Sequence, residues 1–448
     1  MLFAHPQARP ATRIRLAARR GGLTVVLVIA LFVLIGAVAL AVDIAHLWSA
    51  RVELQNATDA AAYAAAQLLV DDDLLTNRPG VMATCVERAR AEAQNFGRSN
   101  LVLGQPLVLQ PNFDNVPDGD ITFGLLSLPG SKEQFQAVGE LDTPYLNAVR
   151  IIARRTRARG NPAGLMFGRA FNLPSADLTT SATVVLDRDV IGFRPVGRQP
   201  LPLVPLALLT DPEGVRPQAW EAQVVVPGHQ DGEGGVDTAA YDRVRRRFLR
   251  VPDEVPVGDG ICEMTVTIPL AGQPVAAEDA DQSNACLVQL GADNWSAYCR
   301  QVSTGVTAED LAGPDFHGQL VLGADNQLRV FGALHAPAYD TPELGQLLQA
   351  LKVLQMTGEP RIWPLFGAYE PDPAGGDGVA ALWGFVAARV VWVELATAKD
   401  EQGQERQQLR LTLQPCMMIS SAAVTDNQRR LTHPLLYNLY ICKLRLLP

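Results

Sequence analysis

A run of 22 residues without a charged side chain, 21–42, constrains the fold of this chain more than any other feature of its sequence. As an α-helix the run is roughly 33 Å long, which matches the hydrocarbon thickness of a bilayer. Basic residues hold the adjacent end of a membrane helix in the cytoplasm, so the sequence predicts a transmembrane helix over 21–42 with everything from Asp43 onward exported. The first 20 residues contain no acidic residue and five arginines: Arg9, Arg13, Arg15, Arg19 and Arg20.

A cleavable signal peptide is the alternative interpretation, because Ala39-Leu40-Ala41 has the small-x-small form that signal peptidase accepts. The apolar run, however, is longer than the roughly 7 to 15 residues of a signal-peptide core. From Asp43 to Val70 the chain has neither glycine nor proline, and apolar or small residues recur at three- and four-residue spacing. These features favour one helix that crosses the membrane and projects beyond it, and proteolytic processing of this anchor stays open.

The residues after the apolar run form an ordered polar pattern that a plain anchor would not need. They are Asp43, Arg51, Leu54, Gln55, Asn56, Ala57 and Asp59. With the Arg-Arg-Gly-Gly sequence before the run, this pattern resembles the N-terminal segment of the TadE/TadG-like family of the Tad (Flp) pilus-assembly system. The resemblance implies a TadG-like, single-pass protein of the bacterial inner membrane. Its exported part would be periplasmic or extracellular and would contact other pilus-assembly or pilin-like proteins.

Charge and motifs exclude several other classes of protein. The chain has 38 basic and 47 acidic residues and a net charge of −9, whereas nucleic-acid binding needs a clustered basic face. The sequence contains no Walker-type phosphate loop, Gly-x-Ser-x-Gly elbow, His-Glu-x-x-His or Cys-x-x-Cys motif, and its six histidines lack ligand spacing. We therefore expect a protein that is not an enzyme, with no cofactor, no metal site, no nucleic-acid partner and no small-molecule substrate.

One acidic segment resembles the start of an EF-hand calcium loop, because Asp279, Asp281 and Ser283 alternate along it. Asn284 stands where that loop has its glycine, and Leu290 stands where it has its bidentate glutamate. The segment is therefore interpreted as a solvated acidic loop.

Short β-prone runs separated by proline, glycine and aspartate follow the long helix, which predicts an α+β fold. A proline-rich stretch that begins near residue 194 suggests a junction between two domains. We expect a cytoplasmic segment at 1–20, a transmembrane helix at 21–42, a helix continuation with a membrane-proximal α+β domain at 43–193, and a β-rich α+β domain at 194–448. Helices are predicted over 79–96, 164–167 and 343–355, and strands over 101–109, 121–128, 148–155, 179–186, 222–226, 264–268, 319–322, 328–331, 385–395, 408–413 and 439–446.

All six cysteines lie beyond the apolar run, on the side where disulfides persist if that side is exported. Six cysteines permit 15 pairings, and the sequence does not choose among them. Closeness in sequence favours a Cys286–Cys299 pair. A Cys416–Cys442 pair is favoured because these two cysteines would link the last predicted strands. Buried free thiols are the alternative.

The sequence therefore predicts a membrane-anchored, non-enzymatic component of a Tad/Flp-type pilus-assembly or surface-attachment system that acts through protein–protein contacts. A second hypothesis is an envelope-binding or adhesin protein unrelated to pilus assembly, and a third is an exported hydrolase whose site converges only in three dimensions. The sequence leaves the direct partner and the oligomeric state open.

The predicted topology can be tested with a reporter fused after Gln67. A reporter that works only outside the cytoplasm should be active there, because the basic residues precede the span. Replacement of Arg15, Arg19 and Arg20 by glutamate should weaken this orientation. Activity of a cytoplasmic reporter at Gln67 in the unaltered protein would reverse the topology.

Overall fold

The structure is a computed structural model that describes residues 21–76, 78–126, 135–143, 146–224, 236–249, 258–272, 283–372, 377–399, 405–426 and 437–447. The arginines proposed to orient the span lie outside the described residues: Arg9, Arg13, Arg15, Arg19 and Arg20.

The N-terminal helix α1 runs from Gly21 to Gln67 without interruption. Its part from Leu23 to Gln67 is long and apolar enough to cross a membrane. Large apolar side chains along the run from Leu23 to Val42 are exposed, as expected of a helix surrounded by lipid. The prediction of one apolar helix that continues past the end of the span is confirmed, and α1 gives the chain a membrane anchor.

The other helices of the described residues are α2 (Val81–Ser99), α3 (Trp220–Gln223), α4 (Trp295–Thr304) and α5 (Pro342–Thr357). Helix α5 shows how the sequence specifies such an element. The Thr341 hydroxyl caps its start by accepting the N–H of Leu344, and Pro342 occupies the first turn. Its buried residues recur at three- and four-residue spacing, and Gly358 ends it with positive φ. The helix predicted at 343–355 is confirmed.

The strands in the first half of the chain are β1 Leu101–Val102, β2 Gln105–Pro106, β3 Ile121–Leu126, β4 Phe135–Ala137, β5 Ala148–Arg155, β6 Ala163–Gly164, β7 Ser175–Ala176, β8 Leu178–Asp187, β9 Val190–Phe193 and β10 Leu206–Leu209. Those in the second half are β11 Tyr241–Asp242, β12 Arg247–Phe248, β13 Met264–Pro269, β14 Ala285–Val288, β15 Leu320–Val321, β16 Leu328–Ala333, β17 Arg361–Glu370, β18 Gly378–Lys399, β19 Glu405–Pro415, β20 Met418–Ile419, β21 Ala423–Thr425 and β22 Ile441–Leu447. The α+β fold with a β-rich C-terminal region is confirmed.

The largest sheet closes on itself. Its strand order is β13-β19-β18-β16-β14-β10-β17, and β17 pairs again with β18. Strand β18 is 22 residues long, so different parts of it pair with different strands. Residues 379–388 pair with β17, whereas residues 388–399 pair with β19. Closure of β18, β16, β14, β10 and β17 removes exposed edges, and the main hydrophobic core includes residues from all five strands.

A second sheet has the order β20-β22-β8-β5-β3-β4. The last strand, β22, pairs with β8 from Lys443 opposite Asp187 to Leu447 opposite Thr183. Strand β8 precedes residue 194 and β22 follows it, so this sheet contains strands from both proposed domains. The boundary proposed there stays a prediction about which segments fold as separate domains.

The chain divides into two compact units. The first contains α1 as far as Leu54 together with Arg154–Thr179, which includes the hairpin β6–β7. The second contains Gln55–Ala153 and Thr180–Pro448, and therefore the closed sheet and most of the six-stranded sheet.

Three local predictions are wrong. In place of one strand over 101–109, residues 101–106 form a hairpin, because Leu103 and Gly104 both adopt positive φ and reverse the chain. The strand predicted at 222–226 is wrong at 222–223, which lie in helix α3, and residues 225–226 lie outside the described residues. Buried Trp220 of α3 donates its indole N–H to the Tyr440 hydroxyl at 3.0 Å. The helix predicted at 164–167 is absent, since Gly164 ends β6 and a 3₁₀ turn begins only at Gly168.

Candidate functional site

The apolar residues of the motif after the span form a buried face of α1. Leu54, Ala57 and Ala61 are almost completely buried and lie three and four positions apart, so they point to one side of the helix. Small alanine side chains allow another helix or strand to approach this side of α1 closely. These residues are therefore structural.

The polar residues Gln55 and Asp59 bond to one another one helical turn apart. Gln55 Nε2 donates to Asp59 Oδ1 at 2.7 Å and to the backbone carbonyl of Ser181 at 3.2 Å. Between them, the Thr58 hydroxyl shares a buried hydrogen bond of 2.8 Å with the Thr180 hydroxyl. The motif thus joins α1 to the start of β8.

Asp43, at the end of the apolar run, is buried and binds backbone. One of its carboxylate oxygens accepts the N–H of Met166 at 2.8 Å, and both accept the N–H of Phe167 at 3.2 Å. These bonds satisfy the N–H groups of both residues and attach this loop to α1.

Arg51 and Asn56, the remaining motif residues, are exposed. They lie beside a row of large apolar side chains at four-residue spacing, Ile44, Trp48 and Val52, which are 48, 67 and 52% exposed. We call these three residues the ridge. The motif pattern did not single it out, although large apolar residues at four-residue spacing just past a membrane span are a usable signal.

Buried charges fix the segment that follows α1. Asp72 accepts from Arg389 at 2.8 Å and from the N–H of Met417 at 2.6 Å, and both charged side chains are buried. The Arg389 guanidinium also lies 4.1 Å from the ring centre of Tyr241. One carboxylate therefore ties the segment after α1 to β18 and to the segment after β19.

The neighbouring acidic residues extend this network. Asp71 binds Arg88 at 2.7 Å and Arg243 at 2.5 Å, and Arg243 also binds Asp73 at 2.6 Å. Burial acts to raise the pKa of Asp71, but the N–H of Asp73 and the charges of Arg243 and Arg88 outweigh burial and leave this pKa lowered. The ionised form is therefore favoured.

A second buried carboxylate, Glu263, faces other acids. It accepts the N–H of Thr238 at 2.8 Å and that of Ala239 at 3.2 Å. Gln414 Nε2 lies 3.4 Å from Glu263 Oε1 and 3.1 Å from Asp259 Oδ1. Burial raises the pKa of Glu263 to about 7 against these N–H bonds, and the charges of Asp237 and Asp259 add to the increase.

No group of three or more His, Cys, Asp or Glu side chains in the described ranges is arranged to hold a metal ion. Asp279 and Asp281 of the calcium-like pattern lie outside the described residues. The prediction of a solvated loop is wrong for Ser283 and Asn284, which are both buried. Asn284 donates to the carbonyls of Thr265 and Gln218 and accepts the N–H of Thr267, so it joins β13 to β14.

A cleft of about 730 Å³ in the second unit has polar residues on its walls, among them Gln289, His335, Tyr369 and Asp377. Gln289 donates to Asp377 at 2.7 Å, and the Tyr369 hydroxyl donates to the Gly332 carbonyl at 3.2 Å. Burial lowers the pKa of His335. The tyrosine thus bonds to β16, and the aspartate bonds to the residue that follows β14.

Five cysteines are free thiols in this structure: Cys85, Cys286, Cys299, Cys416 and Cys442. Cys286 lies on β14, Cys299 on α4, Cys416 just after β19 and Cys442 on β22. Burial raises the pKa of Cys286 and of Cys416 to about 12, which disfavours the reactive thiolate. The two predicted disulfides stay predictions for the oxidised protein.

Residues 21–68 match the Tad family model, described as Flp pilus-assembly TadE/G-like. The matched range coincides with α1, Gly21–Gln67, to within one residue. The family resemblance drawn from Asp43 and the following polar residues is thereby confirmed for this segment. Neither curated proteins nor solved structures give a significant match to the chain.

Proposed function

We propose that this chain, which carries a TadE/G-like anchor at 21–68, is a non-enzymatic component of a Tad/Flp-type pilus-assembly or surface-attachment system. It sits in the bacterial inner membrane with its N-terminus in the cytoplasm and its folded part periplasmic or extracellular. It acts by binding other pilus-assembly or pilin-like proteins. The family match supports the pilus-related role, and the observation that carries the contact mechanism is the exposed ridge of α1.

The ridge has the properties of a helix-packing surface. Ile44, Trp48 and Val52 project from one side of α1 at i, i+4 spacing, which is the spacing of the ridges that fit into grooves of a partner helix. The exposed small residues Ala45 and Ser49 lie beside them and provide a groove for the partner's side chains. Large apolar residues that remain exposed at regular spacing indicate an interaction site.

Its position on the helix favours a membrane-bound partner. Val52 lies nine residues beyond Asp43, which is roughly 13.5 Å along the helix axis. The ridge therefore begins at the membrane surface and continues above it. A pilin-like protein with its own apolar N-terminal helix would lie alongside α1 in this region.

Replacing Trp48 and Val52 by alanine should abolish or strongly reduce pilus formation while leaving protein abundance unchanged. Truncation of a central aromatic anchor commonly costs about 2 kcal/mol or more, which is roughly a 30-fold loss of affinity. The measurements are pilus number per cell by electron microscopy and capture of partners by cross-linking from native membranes, in a deletion strain that expresses each variant.

Val244→Ala and Met356→Ala are the matched controls, because both side chains are highly exposed but lie away from the ridge sequence. They should support normal pilus formation. Normal pili in the Trp48/Val52 variant would contradict the ridge as the contact surface. Normal pili in the deletion strain, together with altered cell-wall binding, would favour the unrelated envelope-binding protein instead.

A further inference from the structure

The hairpin β6–β7 of the first unit ends in a compact tip, residues 165–173. Its backbone is closed by hydrogen bonds from Leu165 N–H to the Pro174 carbonyl at 3.0 Å and from Leu173 N–H to the Gly168 carbonyl at 2.9 Å. A Cβ at Gly168 would lie 2.2 Å from the Leu173 carbonyl oxygen, so this turn requires glycine. The tip therefore has a defined backbone conformation that is held by its own hydrogen bonds.

The tip exposes several large apolar side chains together, which is unusual for a loop surrounded by water. Met166, Phe167, Phe171 and Leu173 are 63, 46, 60 and 62% exposed. Residues 163–176 include no acidic residue and one basic residue, Arg169, which is exposed. Aromatic and aliphatic side chains beside a single cation match the interface of an anionic bilayer.

Asp43 determines the depth of this tip relative to the membrane. Its carboxylate binds the N–H groups of Met166 and Phe167, and Asp43 directly follows the apolar run of α1. Helix side chains lean toward the helix N-terminus, which places this carboxylate on the membrane side of its own Cα. The backbone of the tip therefore lies level with the end of the span.

Burial along α1 agrees with this depth. Ala39, one turn before Asp43 and on the same face, is 9% exposed, whereas Val38 and Leu40 beside it are 56 and 59% exposed. One face of the helix is thus covered by protein within the apolar run, and its other faces remain open to lipid. The exposed side chains of the tip continue this lipid-facing surface.

We propose that the tip inserts into the lipid interface of the leaflet at the Asp43 end of α1 and acts as a second membrane contact beside the span. Met166, Phe167, Phe171 and Leu173 enter the boundary between acyl chains and headgroups, and Arg169 binds lipid phosphate. A second contact fixes the rotation and tilt of α1, because one helix alone turns freely about its axis in a bilayer. This role needs the anchor and is independent of the pilus partner.

The test places the photo-crosslinking residue p-benzoylphenylalanine at Phe171 in the full-length protein, reconstituted into vesicles of phosphatidylethanolamine and phosphatidylglycerol. The same residue at Leu40 and at Val52 provides internal references on α1, one within the span and one roughly 13.5 Å beyond Asp43. After irradiation, mass spectrometry measures the yield of lipid adducts at each position.

Lipid adducts at Phe171 should approach the yield at Leu40 and exceed that at Val52 at least about fivefold, as expected of an interfacial side chain. A yield at Phe171 as low as that at Val52 would overturn the proposal. Adducts between Phe171 and a second copy of the chain in place of lipid would also overturn it. In native membranes, p-benzoylphenylalanine at Phe171 should again form lipid adducts. An adduct with another protein in their place would overturn the proposal and assign the tip to a protein partner.

Discussion

Replacing Asp72 by alanine is expected to lower the free energy of unfolding by about 3 to 5 kcal/mol. Asp72 is the buried partner of buried Arg389, at 2.8 Å, and also accepts the N–H of Met417. Without the carboxylate, a guanidinium remains in the core with its charge uncompensated, and one backbone N–H loses its acceptor. Removal of one member of a buried pair is therefore much more costly than its net contribution to the folded state.

The measurement is chemical unfolding of the full chain in detergent, followed by tryptophan fluorescence. Glu370→Ala is the matched control, because it breaks an ion pair with Arg329 in which both side chains are mostly exposed. Such a pair contributes about 0 to 1 kcal/mol. The double variant Asp72→Ala with Arg389→Met should recover part of the lost stability, since no unpaired charge remains. An Asp72→Ala protein as stable as the Glu370→Ala protein would contradict this account.

This ion pair illustrates what the sequence could not predict. Asp71, Asp72 and Asp73 form an acidic run that is typical of a solvated turn, and Arg389 interrupts an apolar strand without any local signal. They lie 317 positions apart and meet only because β18 and the segment after α1 are neighbours in the fold. A local pattern contains no information about such a contact.

Local patterns did predict the elements whose own periodicity determines them. The apolar run predicts α1, alternation predicts β13 and β19, and the leucine spacing predicts α5. Helix α4 was missed because it is largely polar, although Asn294 caps it by accepting the N–H of Ala297. Closure of the large sheet was also missed, since it depends on β18 pairing with both β16 and β17.

The same limit applies to the candidate site. The sequence identified Asp43 and Gln55 through a family pattern but not their functions in the fold. Asp43 binds a loop more than 120 positions away, and Gln55 reaches the carbonyl of Ser181. The sequence places such residues on a helix face, but only the fold shows which backbone groups they satisfy.

Folding stability is expected to fall as pH rises from about 4.5 to about 7, through the ionisation of Glu263. Burial raises the pKa of this carboxyl group to about 7 in the folded protein, whereas in the unfolded chain it has the ordinary value of 4.5. Below about pH 4.5 both states are protonated, so the group contributes no penalty. Above about pH 7 both are ionised and the folded state bears the full cost of a buried charge beside Asp237 and Asp259.

The size of this effect follows from the increase in pKa, because one pKa unit corresponds to 1.36 kcal/mol. An increase from 4.5 to about 7 therefore lowers the free energy of unfolding by about 2 to 4 kcal/mol across the interval. Asp71 has a lowered pKa and acts with the opposite sign, at pH values below its ordinary 3.8. The two contributions therefore fall in different pH intervals and can be separated.

Glu263→Gln tests the prediction, since glutamine keeps the size of the side chain but cannot ionise. Loss of one carboxylate oxygen weakens the bonds to Thr238 or Ala239 at every pH, so the informative quantity is the change in unfolding free energy between pH 4.5 and pH 7.5. This change should be smaller in the variant than in the unaltered protein by about 2 to 4 kcal/mol. Glu370→Gln, at an exposed carboxylate, should leave it unaltered. Equal pH dependence in Glu263→Gln and the unaltered protein would show that Glu263 titrates at its ordinary pKa.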